Sequence, residues 1–313
     1  MKKRIAIIGA GIGGLSTGCC AQMNGYDTDI FEMHTVPGGV CTSWKRSGYV
    51  FDGCLHHFPG CKEGSRFHDM WKELGIMPGL EVIYPKDLVQ VEAPGGKTLT
   101  VSTDLGRLEQ HVREVAREDA PLLAKWVEAM RSLAGSDVTE MVLATSAEKL
   151  QMLRKAPFLA RWGRYTLESF ADKRLADPFM RKAFPTILYD TTDNPLLIQM
   201  NLLAACSIGQ YGWTVGGSMS IARAMERSYQ GLGGSIHYKA RVAKVLVEND
   251  RAVGVRLEDG TEHRADVVVS NAYGRTTIFD MLDGRYASKA WTSRSTPSTG
   301  PWLPRASRSS RSC

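Results

Sequence analysis

The chain has 313 residues, with 39 basic and 33 acidic side chains and an apolar content of 43%. This length is enough for two domains with hydrophobic cores, and no apolar run reaches the ~18 residues of a membrane-spanning helix. Six of the basic residues lie in 284–313, so residues 1–283 carry 33 bases and 33 acids. A nucleic-acid-binding surface is therefore not expected, because such a surface needs basic residues concentrated on one face.

The seven cysteines form no C-x-x-C pair and no paired clusters along the sequence; they are Cys19, Cys20, Cys41, Cys54, Cys61, Cys206 and Cys313. Zinc ligands and disulfide frameworks both have characteristic cysteine spacings, which are missing here. The sequence therefore predicts no metal site and no disulfide framework, and it fits a reducing cytoplasmic compartment.

The clearest motif lies in the opening segment, KKRIAIIGAGIGGLSTGCCAQMNGYDTDIFE. An apolar strand pattern at Ile5–Ile8 leads into a turn with glycines in G-x-G-x-x-G spacing, at Gly9, Gly11 and Gly14. In a nucleotide-binding βαβ unit these glycines allow a sharp turn, close approach to a pyrophosphate, and close packing of helix on strand. The N-terminus of the following helix presents free N–H groups to the phosphates. The segment predicts a dinucleotide site.

An acidic residue follows the second strand pattern of this segment. Thr28–Phe31 ends at Glu32, about 20 residues beyond the glycines, where a carboxylate accepts hydrogen bonds from ribose hydroxyls. An isolated glycine motif is weak, but here strand, turn, helix, strand and acid occur in the order that the ADP half of a dinucleotide requires.

A second glycine pair lies a few residues beyond the acid. Gly38-Gly39 follows a proline, and a short strand pattern at Gly48–Phe51 leads into Asp52-Gly53. The pair followed by Gly-Tyr-x-Phe-Asp-Gly resembles FAD-dependent oxidoreductases of the phytoene desaturase, carotenoid isomerase and retinol saturase type, which are related to the flavin amine oxidases. In that family the glycine pair lies along the FAD, and NAD-only Rossmann enzymes lack it. The alternative is a loop with a glycine turn.

The resemblance extends to the later part of the chain. Gly216-Gly217-Ser218 opens a predicted helix to about Gly231, and strand patterns follow at Ser235–Tyr238, Val242–Glu248, Ala252–Leu257 and His263–Ser270. In the family a strand backbone meets the FAD adenine, and a strand ending in small residues lies below the cofactor. The resemblance thus implies FAD as cofactor, with candidate contacts at Gly9, Gly11, Gly13, Gly14, Glu32, Met33, Gly38, Gly39, Val242, Asn271 and Ala272.

The middle of the chain has a different pattern. Asp87–Val101 predicts a hairpin, Leu105–Ala116 has helical periodicity, and Asp119 and Pro121 indicate the start of a helix to Leu133. Strand-like alternation is scarce from 105 to 210. The predicted fold class is α/β, with a discontinuous Rossmann-like FAD-binding domain (1–85 and 212–283) and an inserted hairpin-plus-helical substrate domain (86–211).

Two further features concern partners and chemistry. Lys149–Arg164 interleaves basic with apolar residues, which is typical either of a helix in an anionic membrane interface or of the solvated face of a lid helix. Peripheral membrane contact is therefore one of two interpretations. His56 and His57 are the candidate catalytic residues; a structural role is favoured, because at most one of two consecutive strand side chains would face a flavin.

The last segment, 284–313, is predicted to be disordered or aberrant, with eight serines, three prolines and six bases. Family members continue beyond this length with another glycine-rich flavin segment, and none is found here. The favoured explanation is a truncated or frame-shifted chain; a natural basic tail is the alternative.

The predicted function is an FAD-dependent oxidoreductase acting on an apolar isoprenoid or polyene by desaturation, saturation or isomerisation through hydride transfer at the flavin. The chain shows no metal set, Ser-His-Asp order or nucleophile elbow, and a flavin needs none of them. The alternatives are an amine oxidase-like enzyme, a pyridine-nucleotide dehydrogenase, and a non-catalytic dinucleotide-binding remnant.

Overall fold

The computed structural model describes residues 2–55, 57–134, 145–147, 156–188 and 192–287. Its strands are β1 (Arg4–Ile8), β2 (Asp27–Phe31), β3 (Ser43–Arg46), β4 (Tyr49–Asp52), β5 (Phe58–Pro59), β6 (Val82–Ile83), β7 (Asp87–Glu92), β8 (Thr98–Ser102), β9 (Tyr211–Thr214), β10 (Ser235–His237), β11 (Val242–Glu248), β12 (Arg251–Leu257), β13 (Glu262–Arg264) and β14 (Val267–Ser270).

The α-helices with bounds in these ranges are α1 (Ile12–Met23), α2 (Arg66–Glu73), α3 (Leu105–Val115), α4 (Ala120–Ala134), α5 (Ala156–Trp162), α6 (Leu167–Arg174), α7 (Pro178–Ala183), α8 (Leu196–Ser207) and α9 (Ser218–Gly231). Short 3₁₀ helices span Arg117–Asp119 and Phe184–Ile187, and a π-helix spans Thr276–Met281. Of the predicted tail, 284–287 belong to the described part, and the remainder lies outside it.

A parallel sheet joins strands from the two ends of the chain, in the order β10-β2-β1-β14. Ile5 of β1 lies in register with Thr28 on one side and with Val267 on the other, and His237 of β10 pairs with Phe31. Parallel strands need crossover connections, which α1 and the long intervening segment supply. The predicted α/β class and its discontinuous nucleotide-binding sheet are confirmed.

The two faces of this sheet are covered by different layers. On one face, β1 packs through Ile5 and Ile7 against α1 and α9, with Leu15 and Met225 fully buried between them. On the other face, Ala6 and Ile8 pack against the antiparallel sheet β11-β12-β13. Alternate residues of β1 point to opposite faces, so an all-apolar strand is what a sheet covered on both sides requires.

The inserted region has a hydrophobic core of its own. The hairpin β7–β8 and helices α3 to α8 contribute to one cluster of buried residues, in which Trp126, Phe170 and Phe184 are almost fully buried. The Phe184 ring lies 5.3 Å from Trp126 and 5.2 Å from Phe170 between centroids. Among the described residues, no helix combines the length and apolar character needed to cross a bilayer.

The prediction of one strand over His263–Ser270 was wrong. Its first half forms β13 and pairs with β12, whereas its second half forms β14 and pairs with β1. Between them, the Asp266 N–H donates to the Arg4 carbonyl at 2.9 Å, and the Arg4 N–H donates to the Asp266 carboxylate at 2.8 Å. These two bonds attach the chain to β1 as it passes from one sheet to the other.

The sequence predicted that Asp119 caps the helix that follows it. In the structure its carboxylate binds elsewhere. Its carboxylate is buried and accepts hydrogen bonds from the backbone N–H groups of Ala176 (2.8 Å) and Asp177 (3.0 Å). Asp177 in turn accepts from the Met180 N–H at 2.9 Å and caps α7. The two acids therefore connect the start of α4 to the start of α7.

Candidate functional site

The glycine turn forms a tight corner between β1 and α1. The Gly9 N–H donates to the Phe31 carbonyl at 2.8 Å, which holds the corner against the end of β2. A Cβ on Gly14 would lie 2.0 Å from the Gly9 carbonyl oxygen, so only glycine permits this approach. The first turn of α1 contains no acidic residue, and Gly11 supplies no side-chain cap. The helix N-terminus therefore keeps its positive end for an anion.

Glu32 lies at this corner. Its side chain is buried, with Oε2 accepting from the Ala10 N–H at 2.7 Å and Oε1 from the His34 N–H at 2.8 Å. Its own N–H donates to the His237 carbonyl at 2.9 Å, which continues the β2–β10 pairing. The carboxylate predicted to meet a ribose is thus held at the end of the strand next to the glycine turn.

The Gly38-Gly39 segment lies directly against the corner. The Gly38 N–H donates to the Ala10 carbonyl at 2.8 Å, and Gly11 and Gly38 form an isolated parallel bridge. Gly38 adopts a φ of +115°, a conformation that other residues rarely adopt. The side chain of the neighbouring Met33 is 59% exposed. The alternative interpretation of Gly38-Gly39 was an ordinary loop turn. In the structure this pair and the G-x-G-x-x-G turn form one surface.

Residues from the later strands return to the same place. The Asn271 N–H donates to the Ile8 carbonyl at 2.9 Å. A Cβ built on Gly13 would lie 2.6 Å from the Asn271 amide oxygen, so the asparagine side chain lies over the first turn of α1. Ala272, which follows, packs on the β11–β13 side of the sheet. Asn271 and the glycine corner are therefore brought together.

Val242 occupies a different position from Asn271. It begins β11, belongs to the antiparallel sheet and is almost fully buried. Two residues earlier, the Ala240 N–H donates to the Glu32 carbonyl at 2.9 Å. The backbone leading into Val242 thus runs beside Glu32, although its strand is not part of the parallel sheet.

Asp52 was not identified as a site residue from the sequence. Its Oδ1 accepts from the Ser218 N–H (2.6 Å), the Ser218 hydroxyl (2.8 Å) and the Ser43 hydroxyl (2.8 Å). The Ser43 Oγ also accepts from the Met219 N–H at 3.0 Å. Asp52 and Ser43 therefore cap α9 and attach the β3–β4 hairpin to it. Both segments were noted in the sequence, Gly-Tyr-x-Phe-Asp-Gly with Asp52 and Gly-Gly-Ser with Ser218. No sequence feature indicated that the two segments contact each other.

His57 lies away from the glycine corner, next to β9. Its ring stacks on Tyr211 at 4.8 Å between centroids and lies 6.3 Å from the Trp213 ring. This half-buried position in an aromatic cluster fits the structural role favoured above. His56 lies outside the described residues. Within the described ranges no group of three or more His, Cys, Asp or Glu side chains could hold a metal ion.

The geometry of the corner fits the ADP half of FAD. A turn without Cβ atoms leaves room for a diphosphate, the α1 N-terminus offers N–H donors and a favourable dipole, and a buried carboxylate lies beside them for a ribose. Fold and site together define a dinucleotide-binding α/β protein of the Rossmann type.

The comparison with protein families identifies the chain further. The family model for flavin containing amine oxidoreductase matches residues 12–276, most of the chain. The chain therefore belongs to this family, and its cofactor is FAD.

Individual relatives are distant. A phytoene desaturase (lycopene-forming) from a Paracoccus species is 26% identical over 297 residues, covering 90% of this chain and 56% of the relative. The human all-trans-retinol 13,14-reductase is 24% identical over 302 residues, covering 90% of this chain and 49% of the relative. The crystal structure of an oxidoreductase from Methanosarcina mazei matches with a TM-score of 0.56 and 20% identity, over 93% of this chain and 64% of that one. The chain spans about half the length of the two sequence relatives.

Proposed function

We propose that this chain holds the ADP half of FAD and forms the cofactor-binding part of an oxidoreductase for apolar polyene or isoprenoid substrates. The observation that carries the proposal is the meeting of the glycine corner, Glu32 and Gly38-Gly39 in one surface. Bound FAD supplies hydride transfer at carbon. The chain's own residues bind the diphosphate, orient the ribose through Glu32, and place the cofactor along the second glycine pair.

An exposed aromatic face of the β3–β4 hairpin supports the proposal of an apolar substrate. In the β3–β4 hairpin, Trp44 pairs with Phe51 and Arg46 with Tyr49, and cross-strand partners share one face of a sheet. Trp44, Tyr49 and Phe51 are 52%, 71% and 45% exposed, and the Trp44 and Phe51 rings lie 6.3 Å apart. Clustered exposed aromatics are characteristic of a binding surface. The hairpin begins four residues after Gly39, which supports a place for this face beside the proposed cofactor site.

The two sequence relatives are named for reactions on phytoene and on all-trans-retinol. Both names indicate long apolar molecules, and they indicate opposite directions of redox chemistry. The proposal therefore extends to the substrate class and leaves desaturation, saturation and isomerisation as outcomes of the assay.

The substrate class is tested with the FAD-loaded protein. We expect phytoene or retinol in detergent to change the visible flavin spectrum, whereas a primary amine does not. The variant Trp44→Ala should weaken polyene binding about tenfold, because truncating a large ring removes about 1.4 kcal/mol or more of apolar contact. FAD affinity should be unchanged in this variant. Tyr26→Ala, a partly exposed aromatic of the α1–β2 connection, is the control. Flavin reduction by amines with no response to polyenes would contradict the proposed substrate.

Peripheral membrane contact remains a separate proposal. Of the basic and apolar segment Lys149–Arg164, residues 149–155 lie outside the described part of the chain. In α5, Trp162 is buried in the helical core, and Leu159 is 40% exposed. Co-sedimentation with vesicles, with and without anionic lipid, tests this contact; binding that requires anionic lipid supports it, and no binding to either vesicle contradicts it.

A further inference from the structure

Two cysteines flank the β3–β4 hairpin, Cys41 two residues before β3 and Cys54 two residues after β4. The ladder pairs Ser43 with Asp52, and every pair up to the turn keeps the same register. The Gly53 N–H donates to the Thr42 carbonyl at 2.8 Å, so the register continues one step beyond the strands. One further step of this register, at residues where the chain bends, would pair Cys41 with Cys54.

The geometry of an antiparallel ladder sets the spacing of this pair. Hydrogen-bonded and non-hydrogen-bonded pairs alternate, and the Thr42–Gly53 bond marks its pair as hydrogen-bonded. In a regular ladder the neighbouring pair, Cys41 and Cys54, would be of the non-hydrogen-bonded kind, whose Cα atoms lie about 4.5 Å apart. A disulfide spans Cα separations of about 4.4 to 6.8 Å, so this position suits one.

The electrostatics of the two thiols give independent support for their closeness. Burial raises the pKa of Cys41 above 9.0, and the nearby Cys54 thiol and the Asp52 carboxylate raise it further. Cys54 is exposed and Cys41 is half-buried. An oxidant in solution therefore meets Cys54 first, with Cys41 behind it as the second thiol.

We propose that Cys41 and Cys54 form a reversible disulfide that responds to low-molecular-weight disulfides such as oxidised glutathione. The Cys54 thiolate attacks one sulfur of oxidised glutathione and expels one glutathione thiolate. The Cys41 thiolate then attacks Cys54 Sγ in the mixed disulfide and expels the second glutathione thiolate. Two cysteine thiols are oxidised, one glutathione disulfide is reduced to two thiols, and the two protons end on the glutathione.

The bond would act on the surface that faces the cofactor. The Cys41 N–H donates to the Gly38 carbonyl at 2.9 Å, and the Gly38 N–H donates to Ala10 at the glycine corner. Asp52, next to Gly53, caps α9. A Cys41–Cys54 disulfide would therefore fix the loop between the corner and the hairpin to the segment that caps α9.

The other cysteines differ from Cys41 and Cys54 in their expected reactivity. Burial raises the pKa of Cys61 to about 11 and that of Cys206 to about 12, so these thiols are unreactive toward a soluble disulfide. Cys20 is exposed on α1 and would compete for the oxidant. Cys20→Ser and Cys313→Ser together remove the competing thiols of α1 and of the C-terminus, and this double variant is the background for the test.

The experiment exposes the folded chain to oxidised glutathione near pH 8, blocks remaining thiols, digests without reduction and identifies linked peptides by mass spectrometry. Trypsin cleaves after Lys45 and Arg46, so Cys41 leaves on residues 5–45 together with Cys19, and Cys54 leaves on residues 47–62 together with Cys61. Fragmentation of the linked peptides then identifies which two cysteines are bonded. We expect this linked pair as the main product, and its loss on reduction with dithiothreitol.

Single variants separate the two steps. Cys41→Ser should accumulate glutathione on Cys54, because no second thiol resolves the mixed disulfide, and Cys54→Ser should form neither product. Circular dichroism establishes that each variant is folded. Equal and stable glutathione adducts on Cys54 with and without Cys41 would overturn the proposal, as would linkage of Cys54 to Cys61 instead. Neither readout depends on bound FAD, so failure here leaves the proposed function untouched.

Discussion

Gly14 carries the tightest contact of the cofactor corner. The added Cβ of alanine would lie 2.0 Å from the Gly9 carbonyl oxygen, which is backbone and cannot rotate away. We expect Gly14→Ala to abolish FAD binding and to lower the free energy of unfolding by about 2 kcal/mol or more, since overpacking at a rigid contact costs this much. Isothermal titration with FAD and urea unfolding measure both effects.

The control for this variant is Gly231→Ala. Gly231 ends α9, and a Cβ there meets no atom within 4 Å. Its FAD affinity and stability should match those of the parent chain. Unchanged FAD binding in Gly14→Ala would show that the corner does not hold the cofactor.

Tyr229 shows how one buried side chain joins the nucleotide-binding sheet to α9. Its hydroxyl donates to the Thr28 carbonyl at 2.9 Å and lies 2.8 Å from Thr28 Oγ1. Its ring packs so closely on α1 that a Cβ on Gly18 would lie 2.6 Å from it. Burial raises the pKa of the hydroxyl to about 12, so it is a neutral donor at physiological pH.

We expect Tyr229→Phe to lower the free energy of unfolding by about 1–2 kcal/mol, because it leaves the buried Thr28 groups with one partner fewer. Thermal or urea unfolding measures the loss. Tyr273→Phe, with a side chain 75% exposed, should change stability by less than about 0.5 kcal/mol. Equal stability of Tyr229→Phe and the parent would contradict the assigned hydrogen bonds.

Among the elements, α3 and α4 are joined by an ion pair whose effect depends on pH. Glu109 of α3 accepts from Arg113 of its own helix and from Arg131 of α4, the latter at 2.8 Å. These hydrogen bonds, Arg113 first, lower the pKa of Glu109 below 4.5. A carboxylate with a lowered folded-state pKa stabilises the protein above its unfolded pKa, and this stabilisation is lost as pH falls through the folded value.

We therefore predict that Glu109→Gln lowers the free energy of unfolding. It should cost up to about 1 kcal/mol at pH 7, and the difference from the parent should shrink as pH falls below about 4.5. Urea unfolding across this range measures it, with the exposed Glu73→Gln of α2 as control. A difference that stays constant with pH would contradict the ion pair.

The elements differ in how far the sequence reveals them. β1, β2, α1 and the β7–β8 hairpin follow from local periodicity and turn residues, and the observed bounds of the two strands and the hairpin lie within a residue or two of the predicted ones. β3, with the sequence SWKR, has no apolar alternation and is a strand because it pairs with β4. The division of 263–270 depends on the Asp266–Arg4 exchange, which joins residues at opposite ends of the chain.

The candidate site was likewise only partly predictable from the sequence. The glycines and Glu32 lie within one local βαβ unit, so their spacing alone places them together. The Asp52 cap on α9 joins residues 166 positions apart, and the proposed Cys41–Cys54 pairing depends on the register of a hairpin whose first strand has no sequence signal. Long-range pairing of this kind follows from the folded arrangement and not from a motif.

At the scale of the whole molecule, the hairpin-plus-helical region and the parallel-sheet region have separate hydrophobic cores. Strand β9, which pairs with both β5 and β6, lies where the two regions meet. The parallel sheet and its glycine corner form the proposed cofactor surface, and the hairpin-plus-helical region has a hydrophobic core of its own. The proposed oxidoreductase requires two surfaces: a cofactor site, proposed here at the carboxyl end of β1, and an apolar face, proposed here on the β3–β4 hairpin.

The most direct measurement is calorimetric titration of the purified chain with FAD, repeated in the presence of ADP and of FMN. Because the corner, Glu32 and Gly38-Gly39 are proposed to hold the ADP half, FAD should bind at one site, ADP should compete with it, and FMN should not. Displacement of FAD by FMN, or a folded chain that binds neither FAD nor ADP, would contradict the account.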